Sequence, residues 1–483
     1  MLRFFNTLSR RKEEFRPLHE GEARLYTCGP TVYDFAHIGN FRAYVWEDLL
    51  RRTLKLCGLR VTQVMNLTDV DDKTIRNALE RGIGLDEYTQ PYIDAFFEDA
   101  RTLNIEPAEQ YPRATRHIPE MLDLVRRLEE RGHTYAAQGS IYFSIRTFQN
   151  YGRLARVRPD AETAPGVSRI DSDEYEKENV RDFVLWKARK PAEPFWNSPY
   201  GEGRPGWHLE CSAMSMKYLG EQFDIHTGAV DNIFPHHENE IAQSEAATGK
   251  PFVRLWLHCA HLIVDGEKMS KSKGNFYTLR DLLGRGADPR AIRYLLLSVH
   301  YRKPLNFTLE GLDQAMAALG RLDDFVRRVR EQKLGPGGDA DLSGKIARAR
   351  AGFRAALEDD LNSSAALAAL FDLVRDTHAA FDAGRGGEGN RTELLAFLAD
   401  AERVLGVFDQ RSGHEDRLQI GGREQVVQYS EGDPGEEVRT LVRQRLEARQ
   451  ERDYARADEL RKTLQSRGIV IEDVPGGCRV KRA

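Results

Sequence analysis

The sequence predicts an α/β protein with a parallel sheet, followed by an all-helical bundle and a small mixed C-terminal domain. An apolar run at residues 25–27, helical apolar spacing at residues 41–57 and a second apolar run at residues 59–67 follow one another. This β-α-β order is typical of parallel strands joined by right-handed crossovers. From residue 305 onward, apolar residues recur with helical spacing, which predicts a bundle. Basic helical segments and a short apolar run at residues 436–482 predict the last domain.

The composition describes an ordinary globular protein that works in a reducing compartment. The chain has 483 residues, 41% of them hydrophobic and 30% charged, which is enough for about three domains. Its five cysteines are scattered, so we expect no disulfide framework and a cytoplasmic location. No apolar run approaches the roughly 20 residues of a membrane span, and the first residues do not form a secretion signal.

After the first β-α-β unit, residues 72–131 are expected to be mostly helical, and an insertion at about residues 110–205 is expected to cover the site. This insertion includes a charged stretch at residues 171–181. The elements predicted after it are a helix at 212–218, a strand at 223–227, a helix at 236–248 and a strand at 255–264. Helices of the bundle are predicted at 309–332, 345–383 and 391–408.

These elements predict a catalytic domain at residues 1–304, a helical bundle at 305–410, a linker at 411–435 and a small basic domain at 436–483. The linker is expected because this stretch is polar and contains glycine. Residues 439–483 contain 12 Lys/Arg and 7 Asp/Glu, a local net charge of +5. This charge suits a polyanionic partner, although a solvated helical face would have the same composition.

The loop between the first strand and helix carries candidate phosphate-binding residues. Gly29 and Pro30 turn the chain, and residues 37–40 (His-Ile-Gly-Asn, the signature loop) precede the helix. Gly39 allows close approach of a ligand to the backbone, and a helix N-terminus attracts phosphate. His37 can donate to the same phosphate. Alone, this pattern more often marks an ordinary turn.

A second loop, residues 268–274 (KMSKSKG, the lysine loop), follows the strand predicted at 255–264. Lysine ammonium groups on a flexible loop can stabilise charge that moves onto the leaving oxygens of a nucleoside triphosphate. A lone basic loop is usually only a solvated turn. The signature loop together with the lysine loop favours a site for ATP.

Cys28, Cys211, His236 and Glu240 form a candidate metal site. His236 and Glu240 are four residues apart and therefore share one helix face. Two thiolates, one imidazole and one carboxylate satisfy a four-coordinate zinc ion. Neither cysteine has a close Cys-x-x-Cys partner, and a lone cysteine is more often a buried inert thiol. His237 is the main alternative to His236, which we prefer for its spacing from Glu240.

Together these motifs resemble the paired signatures of class I aminoacyl-tRNA synthetases. Cys28, residues 206–215 (GWHLECSAMS) and residues 234–246 (FPHHENEIAQSEA) make the chain resemble the cysteinyl-tRNA synthetases most specifically. The similarity extends from the first residues to the final basic segment.

This resemblance implies a Rossmann-type catalytic domain that activates L-cysteine with ATP and transfers it to tRNA-Cys. It implies one zinc ion per chain, ATP with Mg²⁺ as substrate, and a monomer without membrane contact. The implied zinc ligands are Cys28, Cys211, His236 and Glu240. The implied catalytic and ATP-binding residues are His37, Gly39, Asn40, Lys268 and Lys271. The implied substrate-binding residues are Gly29, Thr68, Trp207, His208 and His226.

Two positions depart from the family pattern. Asn40 replaces a histidine, so we expect an amide donor and no imidazolium charge there. Near Val480, relatives often have a tryptophan, so a base-stacking role at this position is not expected. The main alternative function is an ATP-dependent ligase that joins cysteine to an amino sugar, which lacks an extended tRNA-binding tail. An inactive RNA-binding paralogue is the other alternative.

Overall fold

A four-stranded parallel sheet organises the first of two units in the computed structural model, which describes residues 1–157, 182–408, 414–429, 435–474 and 477–482. The units are Met1–Val407 and Phe408–Ala483. The strands of the first unit are β1 (Arg3–Asn6), β2 (Arg11–Glu14), β3 (Glu22–Thr27), β4 (Arg60–Met65), β5 (Thr134–Ala137), β6 (Ser140–Phe143), β7 (Phe183–Ala188), β8 (Gly203–Pro205), β9 (Phe223–Ala229), β10 (Val253–Cys259), β11 (Leu262–Val264), β12 (Glu267–Lys268) and β13 (Leu305–Phe307).

Helices pack around this sheet, and the chain after β13 contains only helices up to Leu405. They are α1 (Ile38–Leu56), α2 (Asp72–Arg81), α3 (Leu85–Thr102), α4 (Ile118–Glu130), α5 (Trp207–Leu219), α6 (Glu238–Thr248), α7 (Leu279–Gly284), α8 (Pro289–Ser298), α9 (Leu309–Glu331), α10 (Ala340–Glu358), α11 (Ser363–Asp382) and α12 (Glu388–Leu405). We call α9–α12 the helical bundle. The predicted α/β class with a following bundle is confirmed.

The central sheet has the strand order β10-β9-β3-β4, and each neighbouring pair is parallel. Helix α1 connects β3 to its outer neighbour β4, and α6 connects β9 to its outer neighbour β10, so the two connections run in opposite directions along the sheet. The order of connections therefore reverses between β3 and β9. In sheets of this kind, ligands bind beyond the carboxyl ends of the strands at such a reversal.

Helix α1 begins and ends at residues suited to these positions. The side chain of His37 caps the first turn, and Gly58 after the helix has a left-handed φ of 85°. Residues on all faces of the helix are buried, including Arg42 and Asp48. Such a helix cannot be amphipathic, because neighbours cover it on every side.

The insertion contains a separate antiparallel sheet of order β5-β6-β7-β8. Trp186 of β7 and Phe143 of β6 are fully buried in the same apolar core as Cys211 and Leu209 of α5. The insertion is therefore packed on the element that carries one of the predicted metal ligands. The charged stretch predicted at residues 171–181 lies outside the described residues.

Two predicted boundaries within the first unit are wrong. The strand expected at 255–264 is two strands, since β10 pairs in the central sheet while β11 pairs with β12 and β13. The helix expected at 345–383 is two helices, α10 and α11, because Asp360 and Leu361 have left-handed φ values of 66° and 53°. Neither residue is a glycine or a proline, the strongest turn signals, and the available signal was the cluster of Asp, Asn and Ser at residues 359–364.

The second unit is a four-stranded mixed sheet with two helices. Its elements are β14 (His414–Ile420), β15 (Arg423–Tyr429), α13 (Glu436–Gln450), α14 (Tyr454–Ser466), β16 (Ile469–Val474) and β17 (Gly477–Arg482). The sheet order is β14-β15-β17-β16, and its core includes Val427, Leu464 and Cys478. The hairpin β14-β15 corrects the expected linker at 411–435, whose polar residues alternate with Leu418, Ile420 and Val427. Residues 409–413, 430–434 and 475–476 lie outside the described residues.

Candidate active site

A cleft of about 590 Å³ opens at the carboxyl ends of the central strands. Cys28 and Thr68 line it from the segments that follow β3 and β4, and Gly228 lines it from β9. Trp207 and Cys211 of α5 form another part of the wall. The cleft therefore lies where the reversal of strand order predicts a ligand.

Four predicted ligand atoms meet at the base of this cleft. One atom each from Cys28, Cys211, His236 and Glu240 lies within 4.8 Å of the other three. Cys211, His236 and Glu240 are buried, whereas Cys28 is partly accessible from the cleft. His236 Nε2 is 3.1 Å from Glu240 Oε1. We call these four residues the cysteine cluster.

The chemistry of the cysteine cluster suits a bound divalent cation. Glu240 Oε1 is fully buried, and its 3.1 Å contact with His236 Nε2 does not have the geometry of a hydrogen bond. Burial of this oxygen without a hydrogen bond from the described residues is costly unless an ion or water binds it. A hydrogen bond with Cys211 and burial raise the pKa of Cys28 well above its ordinary value. Burial lowers the pKa of His236 to about 3, so its ring is neutral. A cation would replace the thiol protons and bind the neutral imidazole.

A second set of ligand atoms overlaps the cysteine cluster. Atoms of Cys28, His226, His237 and Glu240 also lie within 4.8 Å of one another. His237 Nε2 is 3.3 Å from Cys28 Sγ, and its Nδ1 is 2.8 Å from His258 Nε2. Both histidine alternatives are therefore geometrically open. The two differ in position, because His236 is among the residues that line the cleft and His237 is not.

The signature loop has a reciprocal hydrogen-bonding pattern. The ring Nδ1 of His37 accepts the backbone N–H of Asn40 at 3.2 Å, and Asn40 Oδ1 accepts the backbone N–H of His37 at 3.1 Å. Since Nδ1 accepts, a neutral His37 ring carries its proton on Nε2. A Cβ atom at Gly39 would come within 2.9 Å of the His37 ring, so any larger residue would displace that ring.

The segment directly after the lysine loop, residues 276–278, contacts the signature loop. The backbone N–H of Ile38 donates to Tyr277 O at 3.0 Å, and His37 forms a β-bridge with Thr278. Phe276 contacts the His37 ring edge-on, with centroids 5.3 Å apart, and also lines the cleft. Lys268 is exposed on β12, and Lys271 lies in the short helical turn Lys271–Lys273. The two loops are therefore neighbours in space.

Comparison with known proteins identifies the family. Residues 14–317 match the class I (C) tRNA synthetase catalytic domain, residues 352–409 match the DALR domain, and residues 432–480 match the cysteinyl-tRNA ligase anticodon binding domain. The cysteine–tRNA ligase of Protochlamydia amoebophila (strain UWE25) is 48% identical over 488 residues, covering 100% of this chain and 98% of its own. The chain belongs to the cysteine–tRNA ligase family.

Other relatives agree with this family. The cysteine–tRNA ligase of Chlamydia muridarum (strain MoPn / Nigg) is 50% identical over 486 residues, with 99% of each chain covered. Among solved structures, a Mycobacterium tuberculosis methionyl-tRNA synthetase bound by methionyl-adenylate has a TM-score of 0.61 at 14% identity, covering 81% of this chain and 92% of its own. At that identity the likeness shows the class I fold alone. The family match and the curated relatives show that the chain is a class I ligase, as predicted.

Within this cysteine–tRNA ligase fold, the residues expected to bind substrate form two groups. Gly29, Thr68 and Trp207 line the cleft. His208 and His226 are buried behind the cysteine cluster and do not line the cleft. His208 Nδ1 is 2.9 Å from His236 Nδ1, and His226 Nε2 is 2.9 Å from Glu240 Oε2. These two rings therefore contact cluster residues.

Sequence reasoning missed Asn66, which organises the substrate side of the cleft. Its side chain accepts the backbone N–H of Gly29 at 2.9 Å and donates to Thr68 Oγ1 at 3.0 Å. Its position directly after β4 was the available signal, because polar residues at strand ends face the ligand in such sheets. Lys73 and Arg76 of α2 also line the cleft and were not anticipated.

The state of the cysteines and the length of the apolar helices are also clear from the structure. All five cysteines are free thiols. Among the described residues, no helix is both long and apolar enough to cross a membrane.

Proposed function

We propose that this chain joins L-cysteine to tRNA-Cys in two steps. The cysteine carboxylate first attacks the α-phosphorus of ATP, giving cysteinyl-adenylate and pyrophosphate. The 3′-terminal adenosine of tRNA-Cys then takes the cysteinyl group and releases AMP. The observation that carries this proposal is one cleft lined by thiol ligands on one side and by the signature loop on the other.

The cysteine cluster would hold one zinc ion per chain through Cys28, Cys211, His236 and Glu240. When bound, zinc supplies a soft Lewis acid that binds a substrate thiolate far better than a hydroxyl and so separates cysteine from serine. His236 is favoured over His237 because it lines the cleft and because Cys211 occurs only in the set that contains His236. His208 and His226 act as positioning residues that orient His236 and Glu240.

The signature loop and the lysine loop would bind ATP with Mg²⁺. His37, with its proton on Nε2, can donate a hydrogen bond to a phosphate oxygen, and Gly39 permits close approach. The Oδ1 atom of Asn40 is occupied, because it accepts the backbone N–H of His37. The amide NH₂ group of Asn40 can donate a hydrogen bond to ATP. Lys268 and Lys271 would stabilise the negative charge that develops on the leaving pyrophosphate.

On the substrate side, Gly29, Thr68 and Trp207 would position cysteine beside the cluster. Trp207 stacks on His236 with centroids 4.2 Å apart, so its ring covers the cluster. A ring that covers part of the cluster keeps bulk water from that part, which strengthens the electrostatic interactions there.

For tRNA, we assign residues 305–410 to the anticodon side and the basic residues 436–483 to phosphate contact. The match of residues 432–480 to an anticodon binding domain supports extending the anticodon side to this last segment. Removing the whole second unit, residues 408–483, should leave adenylation intact and weaken tRNA charging, with a smaller dependence on salt. The enzyme is proposed to act as a monomer in the cytoplasm, where its thiols stay reduced.

The proposal is tested by measuring ATP–pyrophosphate exchange and tRNA charging on the same preparation. We expect exchange that depends on cysteine and charging of tRNA-Cys. Exchange with cysteine but ligation only to an amino sugar would support the alternative ligase instead. The absence of exchange with purified, metal-loaded protein would support an inactive RNA-binding paralogue.

A further inference from the structure

The turn between α10 and α11 has an unusual backbone that its sequence does not require. Asp360 and Leu361 have φ values of 66° and 53°, and both side chains are completely buried. Two consecutive non-glycine residues in this conformation are costly and persist only where surrounding contacts enforce them. The contacts of Asp360 explain why this turn is retained.

The Asp360 carboxylate holds two segments that are distant in sequence. Its Oδ1 accepts the backbone N–H of Phe5 at 2.8 Å and the hydroxyl of Tyr301 at 2.7 Å. Its Oδ2 accepts Nε of Arg302 at 2.8 Å. The backbone N–H of Asp360 donates to Arg3 O at 2.9 Å. A buried carboxylate with these partners fixes the bundle against β1 and residues 301–302.

Tyr301 and its neighbours in turn contact the helix that follows the signature loop. The ring of Tyr301 stacks on Trp46 of α1, with centroids 4.5 Å apart and an interplanar angle of 16°. Arg42, two residues beyond Asn40, donates to the backbone oxygens of Val299 at 2.8 Å and His300 at 3.1 Å. A short path of direct contacts therefore joins Asp360 to the start of α1.

We propose that Asp360 is a positioning residue for the transfer step, because it sets the position of the helical bundle relative to α1. This inference rests on the proposed function, in which the bundle contacts tRNA. A tRNA held by a displaced bundle would present its 3′ end out of register with the cleft, and small misplacements slow such reactions strongly. Adenylation uses the residues of the cleft. Helix α1 keeps its own contacts from Arg42 to Val299 and His300 when Asp360 is changed, so this step is not affected.

Asp360→Asn is a suitable variant, since asparagine has a similar size and tolerates the left-handed conformation. It removes the negative charge beside Arg302 and replaces one acceptor oxygen with a donor. A second contact keeps the bundle attached, because Arg293 donates to Leu405 O at 2.6 Å and to Asp48 Oδ2 at 2.5 Å. The variant should therefore fold with a shifted bundle.

Asp359→Asn is the matched control. Its carboxylate is 41% exposed and pairs with Arg3 at 3.2 Å and Lys12 at 2.8 Å, and exposed pairs of this kind contribute little. Cysteine-dependent pyrophosphate exchange should stay within about twofold of wild type in both variants. In Asp360→Asn, single-turnover transfer from preformed cysteinyl-adenylate to tRNA should fall by about tenfold or more, with unchanged transfer in Asp359→Asn.

Equal loss of exchange and transfer in Asp360→Asn, or transfer at the wild-type rate, would overturn the proposal. If that variant does not fold, Tyr301→Phe tests the proposal instead. It removes the hydroxyl that donates to Asp360 and keeps the ring stacked on Trp46. A transfer-specific loss of about threefold or more is then expected, in line with one lost hydrogen bond, and no loss would refute the role. Wild-type protein without exchange would instead refute the proposed function.

Discussion

His37 and Asn40 hold each other at the start of α1, because each accepts the other's backbone N–H through its side chain, at 3.2 Å and 3.1 Å. The pair fixes both the first turn of the helix and the ring of His37, which lines the cleft. The asparagine side chain therefore stabilises the start of α1. Its contribution to binding is separable from this structural role by mutation.

Asn40→Ala should lower both stability and activity. Losing the acceptor for the backbone N–H of His37 should reduce the free energy of unfolding by about 1 kcal/mol. Losing the amide NH₂ donor proposed for ATP should slow cysteine-dependent pyrophosphate exchange by about tenfold. Asn362→Ala is the control, since Asn362 caps α11 by accepting the N–H of Ala365 at 3.1 Å. It should lose similar stability in urea unfolding with unchanged exchange. Equal exchange rates in the two variants would contradict this account.

Lys271→Ala should slow adenylation by about 10²-fold or more, as expected when one donor to the transition state is lost. The measurement is single-turnover formation of cysteinyl-adenylate at saturating ATP. Lys273→Ala is the control, because Lys273 Nζ is paired with exposed Glu267 at 2.7 Å in the same loop. A wild-type rate for Lys271→Ala would refute this role. The same loss in Lys273→Ala would assign the effect to the charge of the loop as a whole.

Cys211→Ser should remove the bound metal and the discrimination between cysteine and serine. A hydroxyl is a poor zinc ligand at neutral pH, so metal per chain should fall well below one by elemental analysis. The ratio of kcat/KM for cysteine to kcat/KM for serine should drop by about 10²-fold or more. A hydrophobic pocket alone separates such similar side chains poorly, so it cannot replace the selectivity that the metal supplies. Cys57→Ser, at the end of α1 and outside the cluster, should keep both. Retained metal and selectivity in Cys211→Ser would exclude the cluster as the zinc site.

Stability should depend on pH through Glu47, which is fully buried on α1. Burial raises the pKa of Glu47 from 4.5 to about 8, and its Oε1 accepts the hydroxyl of Thr227 at 2.9 Å. Between these pH values the folded protein holds a proton that the unfolded chain has released. The free energy of unfolding therefore falls as pH rises, by up to about 1.4 kcal/mol per pH unit from this group.

Glu47→Gln removes this titration and keeps an oxygen for Thr227. The free energy of unfolding of the variant minus that of wild type should be larger at pH 8 than at pH 5. Urea unfolding of both proteins at both pH values measures this difference. Glu80→Gln is the control, since Glu80 is 68% exposed on α2 and should leave the difference unchanged. Parallel pH profiles for wild type and Glu47→Gln would show that Glu47 ionises normally.

The parallel sheet and the arrangement of the two loops followed from local patterns. Apolar periodicity predicted β3, α1 and β4, and the i, i+4 spacing brought His236 together with Glu240. The residue pattern was less informative where the backbone changed direction without glycine or proline. The turn at Asp360 is of this kind, so α10 and α11 were predicted as one helix.

Contacts between distant residues were beyond the reach of sequence periodicity. Asp360 pairs with Phe5 and Tyr301 because the folded chain brings those segments together. The split between β10 and β11 likewise depends on β13, which supplies a partner strand for β11 from a later part of the chain. The hairpin β14-β15 was missed because its apolar residues are few and its core partners lie in α13, α14 and β17.

The central claim is that cysteine is recognised by a metal held in the cysteine cluster and activated by the neighbouring loops. The most direct measurement is pyrophosphate exchange with cysteine and with serine, on the same protein before metal removal, after removal and after zinc is restored. The account predicts a large preference for cysteine that disappears with the metal and returns with zinc. An unchanged preference in the metal-free protein would contradict it.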